Sequence, residues 1–220
     1  MTSDHLRGER MNNLDPSELP RPTREHILLG KQAFAAQGQV TEAALHKLLH
    51  TFPDNTVTAE IYLKVVAINQ IYGTGILAVQ PVAERIQAAV IDADLRAGDP
   101  GVVHRIDRLQ FVTAKGKEID RSIYSFATKY CAHHQPEHYP IYDGIVSTKL
   151  LAYDQRDNFN SYRLKYADLR DYVKFKEVVL QFRAHYGLTA FSLRDIDQFL
   201  WILGKGLLPA LPSATSPRSP

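Results

Sequence analysis

Two side chains that can do chemistry lie fourteen residues apart in the segment Ser125-Phe-Ala-Thr-Lys-Tyr-Cys-Ala-His-His-Gln-Pro-Glu-His-Tyr-Pro-Ile-Tyr-Asp-Gly-Ile-Val146. Lys129 falls near the head of one apparent helix and Asp143 at the head of the next. A lysine amine is a nucleophile when desolvated enough to be neutral near pH 7, and otherwise a phosphate contact or a surface cation. An aspartate before Gly-Ile-Val is ordinary helix-capping chemistry, and the same carboxylate can stabilise developing positive charge; the two roles are compatible. Cys131, His133, His134 and His138 include the metal-ligand spacings Cys-x-His and His-x3-His. Pro136 interrupts the His134–His138 interval and removes the helical facing that an i, i+4 pair needs. No metal and no other cofactor is therefore expected, and His133 or His134 is read as lining a pocket.

The elements that must position these residues read as helices nearly everywhere. Ile27, Leu28, Ala33 and Phe34 follow a candidate cap at Thr23, and Ala44, Leu45, Leu48 and Leu49 follow a second at Thr41. Ile61, Leu63, Val65, Val66 and Ile68 predict an apolar helix that stops at Tyr72-Gly-Thr-Gly75. Ile76, Val79, Val82, Ala83 and Ile86 predict another, and Val102, Val103, Ile106 and Leu109 one more after Pro100-Gly101. Leu169, Tyr172, Val173, Val179, Leu180 and Phe182 mark a long helix ending at Tyr186-Gly187. Ser192-Leu-Arg-Asp195 is a capping box that opens a last helix through Phe199, Leu200, Trp201 and Leu203. No pair of alternating strands is read. The expected fold is all-α, with roughly eight to ten helices in orthogonal packing.

At 220 residues and 45% hydrophobic content, the chain can bury one core. A single domain over residues 22–207 is expected. Its flanks are an N-terminal arm, 1–21, read as disordered or loosely packed, and a Pro/Ser-rich tail, 208–220. A net charge of +2 is compatible with nucleic acid without being diagnostic. One cysteine excludes an intrachain disulfide framework, and no long apolar run or signal core is present. These features point to a cytoplasmic protein with no membrane association and no obligate protein partner.

Ile123-Tyr-Ser-Phe-Ala-Thr-Lys-Tyr130, followed by Tyr139-Pro-Ile-Tyr-Asp-Gly-Ile-Val146, resembles the helix-hairpin-helix (HhH-GPD) DNA glycosylase superfamily. There a hairpin of the form L-P-G-V-G-x-K precedes a P-V-D-x-x-V segment whose Asp is catalytic. Ile123 and Tyr124 stand for the Leu and Pro, Ser125 and Ala127 for the two glycines, and Lys129 for the lysine; Asp143 and Val146 fill D-x-x-V. Both hairpin glycines are thus replaced, and glycine there lets backbone amides approach a phosphate closely. Residues 60–205 are similar to a widespread group of uncharacterised bacterial proteins with S-F-A-T-K-Y-C and Y-P-I-Y-D.

The resemblance implies an all-α, orthogonal HhH-GPD-like fold and a DNA glycosylase that extrudes a damaged or modified base and hydrolyses its N-glycosidic bond. Defence against phage is the biological setting it suggests. Asp143 and Lys129 become the catalytic residues, with lyase chemistry added if the Lys129 amine reaches C1′. Asn69, Gln70 and Tyr72 become a wedge and pocket wall, and His133, His134, Tyr142 and Trp201 pocket residues around the base. Ser125 and Thr128 become DNA contacts. A reading of another class is a non-catalytic DNA-binding or protein-interaction module on a degenerate glycosylase scaffold; a His-rich metal hydrolase is a third.

Overall fold

A computed structural model describes residues 16–211; the expected arm up to residue 15 and the tail from 212 lie outside the described residues. Among these, nine α-helices and one two-stranded hairpin occur, so the chain is mostly helical. The first helix, α1 (Arg24–Thr51), is capped by Thr23, whose hydroxyl accepts from the His26 amide. It runs straight through Thr41, where a second start was expected. No proline or turn residue breaks it there, and only its two ends are buried, through Ile27 and Gly30 and through Leu45 and Leu49. The apolar stripe fades in the middle because that stretch faces a cleft instead of the core.

α2 (Thr58–Tyr72) ends at Gly73, whose φ of 57° makes the left-handed cap that glycine adopts without a Cβ penalty. α3 (Val79–Ala88), α4 (Asp92–Ala97) and α5 (Gly101–Asp107) follow as short helices. Leu109, expected to continue the helix of Val102, belongs instead to β1 (Arg108–Val112), which pairs antiparallel with β2 (Glu118–Ser122). This hairpin corrects the purely α expectation. Its strands are five residues each; β1 alternates only over Leu109 and Phe111, and β2 buries no residue fully, so the pattern is too short to announce a pair.

α6 (Tyr124–His134) starts directly after β2 and is buried from Phe126 to Ala132, with Pro136 closing it. α7 (Gly144–Asp157) is capped by Asp143, and α8 (Tyr172–His185) by Asp171. α9 (Leu193–Gly204) opens on the expected Ser192/Asp195 capping box. Two glycines let α9 come close to its neighbours. A Cβ on Gly30 of α1 would stand 2.9 Å from the Phe199 Cα, and one on Gly204 would stand 2.0 Å from the Ile145 Cγ2 of α7.

Residues 16–21 are packed more firmly than the expected loose arm. Leu19 is buried, its carbonyl accepts from Arg156, and the Pro20 carbonyl accepts from the Tyr153 hydroxyl at 2.8 Å. At the other end Leu208 still touches the core, which is one contiguous cluster. No helix among the described residues is long and apolar enough to cross a membrane.

Candidate active site

Five helices surround a cleft of about 510 Å³. α1 supplies one face, with Phe34, Gln37, Gly38, Thr41 and Glu42 at the i, i+3, i+4, i+7, i+8 spacing of a single helical stripe. α9 supplies Arg194, Asp197 and Trp201, the C-terminal end of α2 supplies Tyr72, α6 supplies Lys129, and the start of α7 supplies Asp143 and Ile145. The Phe34 and Trp201 rings meet edge to face at 5.7 Å.

Lys129 and Asp143 converge on this cleft. The Lys129 amine stands 4.0 Å from Asp143 Oδ2 and 5.5 Å from the Tyr72 ring centroid. It donates to Ser125 Oγ at 2.7 Å and to the Tyr142 carbonyl at 3.2 Å, with the Ser125 carbonyl at 3.4 Å. Burial pulls its pKa below the ordinary lysine value, while the Asp143 and Asp197 carboxylates oppose that shift. Asp143 uses one oxygen as a cap, accepting from the Ile145 amide at 2.8 Å, and turns the other toward Lys129. Capping and a place in the cleft therefore coexist in one carboxylate.

Behind this pair lies a buried polar network. Arg194 donates to Asp197 Oδ2 at 2.6 Å, to Glu42 Oε1 at 2.9 Å and to the Tyr72 hydroxyl at 3.3 Å. The Tyr72 hydroxyl also meets Glu42 at 3.1 Å and His133 Nε2 at 2.7 Å. Asp197 is 6% exposed, and burial raises its pKa to about 6 against the pull of Arg194. Asp197, Tyr72 and Glu42 raise the Arg194 pKa further above its usual value despite burial, so this guanidinium is a fixed charge.

The other expected site residues divide. Trp201 lines the cleft, as does Tyr72. Asn69 does not act as a wedge: its amide donates to the Ile76 carbonyl, and its oxygen accepts from Ile76 N and the Thr74 hydroxyl, so it staples the turn after α2. Gln70 is exposed and lies outside the cleft lining. Tyr142 is buried among Tyr124 and Phe175 and bonds Tyr166 through its hydroxyl at 2.9 Å, which places its ring in the core. Thr128 is wholly buried, donating to the Ser125 carbonyl and accepting from Tyr142 N, so it is closed to DNA. Ser125 holds Lys129.

His133 and His134 line a second cavity of about 310 Å³ with His46 and His50 of α1. His133 reaches the main cleft only through Tyr72. Among the described residues, no three His, Cys, Asp or Glu side chains gather as a metal site. Sequence reasoning missed Glu42, Gly38, Arg194 and Asp197. A signal existed for the last two: Arg194 and Asp197 are three apart, and Asp197 follows Ile196 on the apolar side of a strongly amphipathic helix.

Fold and site together define a mostly helical domain with a charged, aromatic-walled cleft. The HI_0787_N family, an N-terminal domain, matches residues 28–138, just over half of the chain, and the chain belongs to it. The matched stretch carries the α1 wall, Tyr72 and Lys129, while Asp143, Arg194 and Asp197 lie beyond it. An uncharacterized protein of Haemophilus influenzae (strain ATCC 51907 / DSM 11121 / KW20 / Rd) is 40% identical over 142 residues, which is 64% of each chain. The alignment thus spans less than two thirds of that relative's length. No solved structure matches.

Proposed function

We propose that the chain is a DNA glycosylase that takes an extruded base into the cleft and hydrolyses its N-glycosidic bond. The observation that supports this reading best is the meeting of Lys129 and Asp143, 4.0 Å apart, in one cleft walled by Phe34, Tyr72 and Trp201. Breaking the C1′–N bond sends the bonding electrons to the base and leaves positive charge on the sugar. Asp143 is the anion that stabilises that charge. In the hydrolytic course, water adds hydroxide to C1′ and the departing base gains the proton. In the lyase course, the unprotonated Lys129 amine adds to C1′, loses a proton, and the ring opens to a Schiff base.

Asp143→Asn tests the assignment, because asparagine caps a helix as well as aspartate does. The variant is expected to fold and bind DNA as the parent does and to release no base; full base release would sink the reading. Borohydride trapping on substrate DNA separates the two courses, a covalent adduct that depends on Lys129 marking the lyase.

One observation favours a second reading. Three acceptors surround the Lys129 amine, Ser125 Oγ, the Ser125 carbonyl and the Tyr142 carbonyl, which matches the three protons of an ammonium tied into the fold. A non-catalytic DNA-binding module would use Lys129 that way, and it would show salt-dependent DNA affinity with no abasic product.

A further inference from the structure

The stripe of α1 that faces the cleft contains a glycine with no structural reason to be there. Gly38 sits mid-helix, where glycine is less stable than alanine. An added Cβ would meet nothing within 4 Å, in contrast to Gly30 on the same helix, whose Cβ would strike Phe199. Packing within the chain does not account for the missing side chain, whereas a molecule seated against α1 does.

What that molecule offers follows from the groups left free around it. Asp197 is more than nine-tenths buried, yet its hydrogen bond to Arg194 uses only Oδ2. Glu42 engages Tyr72 and Arg194 through Oε1 alone. Asp197 Oδ1 and Glu42 Oε2 have no hydrogen-bond partner among the described residues, and both side chains line the cleft. Arg194 bridges the two carboxylates and fixes their spacing. Two such oxygens accept only, so the complementary ligand edge is one that donates.

We propose that Glu42 and Asp197 are the specificity-determining pair of the cleft, and that they select a base whose outer edge carries donors, an exocyclic amine or a hydroxylated substituent, seated in the gap at Gly38. This rests on the reading of the occupant as a base. A base with only carbonyls on that edge would set oxygen against carboxylate oxygen, leaving desolvated acceptors facing each other.

Trp201 lines this cleft and is the one tryptophan of the sequence, so its fluorescence reports on occupancy without a label. The full chain is titrated with the nucleosides of 2,6-diaminopurine (exocyclic amines), 5-hydroxymethyluracil (a hydroxyl beside the O4 carbonyl) and uracil (the O4 carbonyl without that hydroxyl, N3–H being its one base donor). At least one of the first two is expected to bind at least tenfold more tightly than the uracil nucleoside, and which one does identifies the donor. Gly38→Leu, which fills the gap with a good helix former, is expected to weaken that binding at least tenfold while the melting temperature stays level or rises. Glu42→Gln, which replaces an acceptor-only group by one that also donates, is expected to erase most of the tenfold preference. Equal binding of all three, no binding of any, or a Gly38→Leu chain that binds like the parent would overturn the proposal. Base release from DNA is measured separately. Selective binding without release would leave this pair in place and remove the glycosylase chemistry, whereas release with unselective binding would do the reverse.

Discussion

Lys64 shows how much a single residue can carry outside the cleft. It is wholly buried, and its amine donates to the Phe52 carbonyl at 3.2 Å, the Asp54 carbonyl at 2.8 Å and Asn55 Oδ1 at 2.7 Å. Asn55 is itself held by Asp92 and by the Tyr130 hydroxyl. Burial lowers the Lys64 pKa to about 8, although Asp92, Glu60 and Asp54 pull it upward. Lys64→Met keeps the length of the side chain but removes the donor from two partly buried carbonyls and one of the two donors from the buried Asn55 Oδ1. A loss of about 3 kcal/mol in urea unfolding is expected, and a loss below about 1 kcal/mol would show that the loop finds other partners. The charge in the middle of an apolar run was visible in the sequence. Its partners were not, because two of the three are backbone carbonyls of a loop, which no side-chain pattern encodes. Asp143 was legible for the opposite reason: its cap partner lies two residues away, so local chemistry alone places it.

At the scale of elements, three glycines make opposite predictions. Gly30 and Gly204 let α9 press against α1 and α7, and alanine at either position is expected to destabilise the fold by about 1–3 kcal/mol through overpacking. Gly38→Ala is expected to stabilise it by up to about 1 kcal/mol, because it improves helix propensity and meets nothing. Thermal unfolding of the three variants checks the signs, and a destabilised Gly38→Ala would remove the argument that its space is unoccupied within the chain. Helix ends were largely legible, since Thr23, Asp143, Ser192 and Gly73 announce themselves by residue type. The hairpin was not: its pairing rests on backbone bonds between five-residue strands with little burial. Nor was the continuity of α1, whose middle turns a polar face to the cleft and so lacks the core stripe that marks a helix. The Glu42–Arg194 bond spans 152 residues, and no periodicity on either helix specifies its partner.

The whole molecule inherits a pH dependence from its buried titrating groups. Burial lowers the pKa of His133 to about 4 and of His134 to about 3, so the folded chain binds fewer protons there than the unfolded one. Their contribution to stability is complete above the ordinary histidine value of about 6.5 and is lost as pH falls toward 4. Asp197 works the other way. Its raised pKa of about 6 gives a contribution that is full below the ordinary carboxyl range and lost as pH rises through 6. Two histidines oppose one aspartate, so the urea midpoint is expected to fall between pH 6.5 and 4.5, and to fall more steeply in Asp197→Asn. A midpoint that holds steady or rises on acidification would contradict this balance.

The Tyr72 hydroxyl has one further consequence. It forms a party wall: Tyr72 lines the large cleft, its bonded neighbour His133 lines the histidine cavity, and the two rings lie 5.3 Å apart. Arg194 can only donate to this oxygen, so the single phenolic proton goes either to Glu42 or to His133. The two chambers therefore share one proton between them. Whatever occupies the Glu42 side changes the basicity of the imidazole on the other, and by reciprocity a protonated His133 changes what the first chamber can hold.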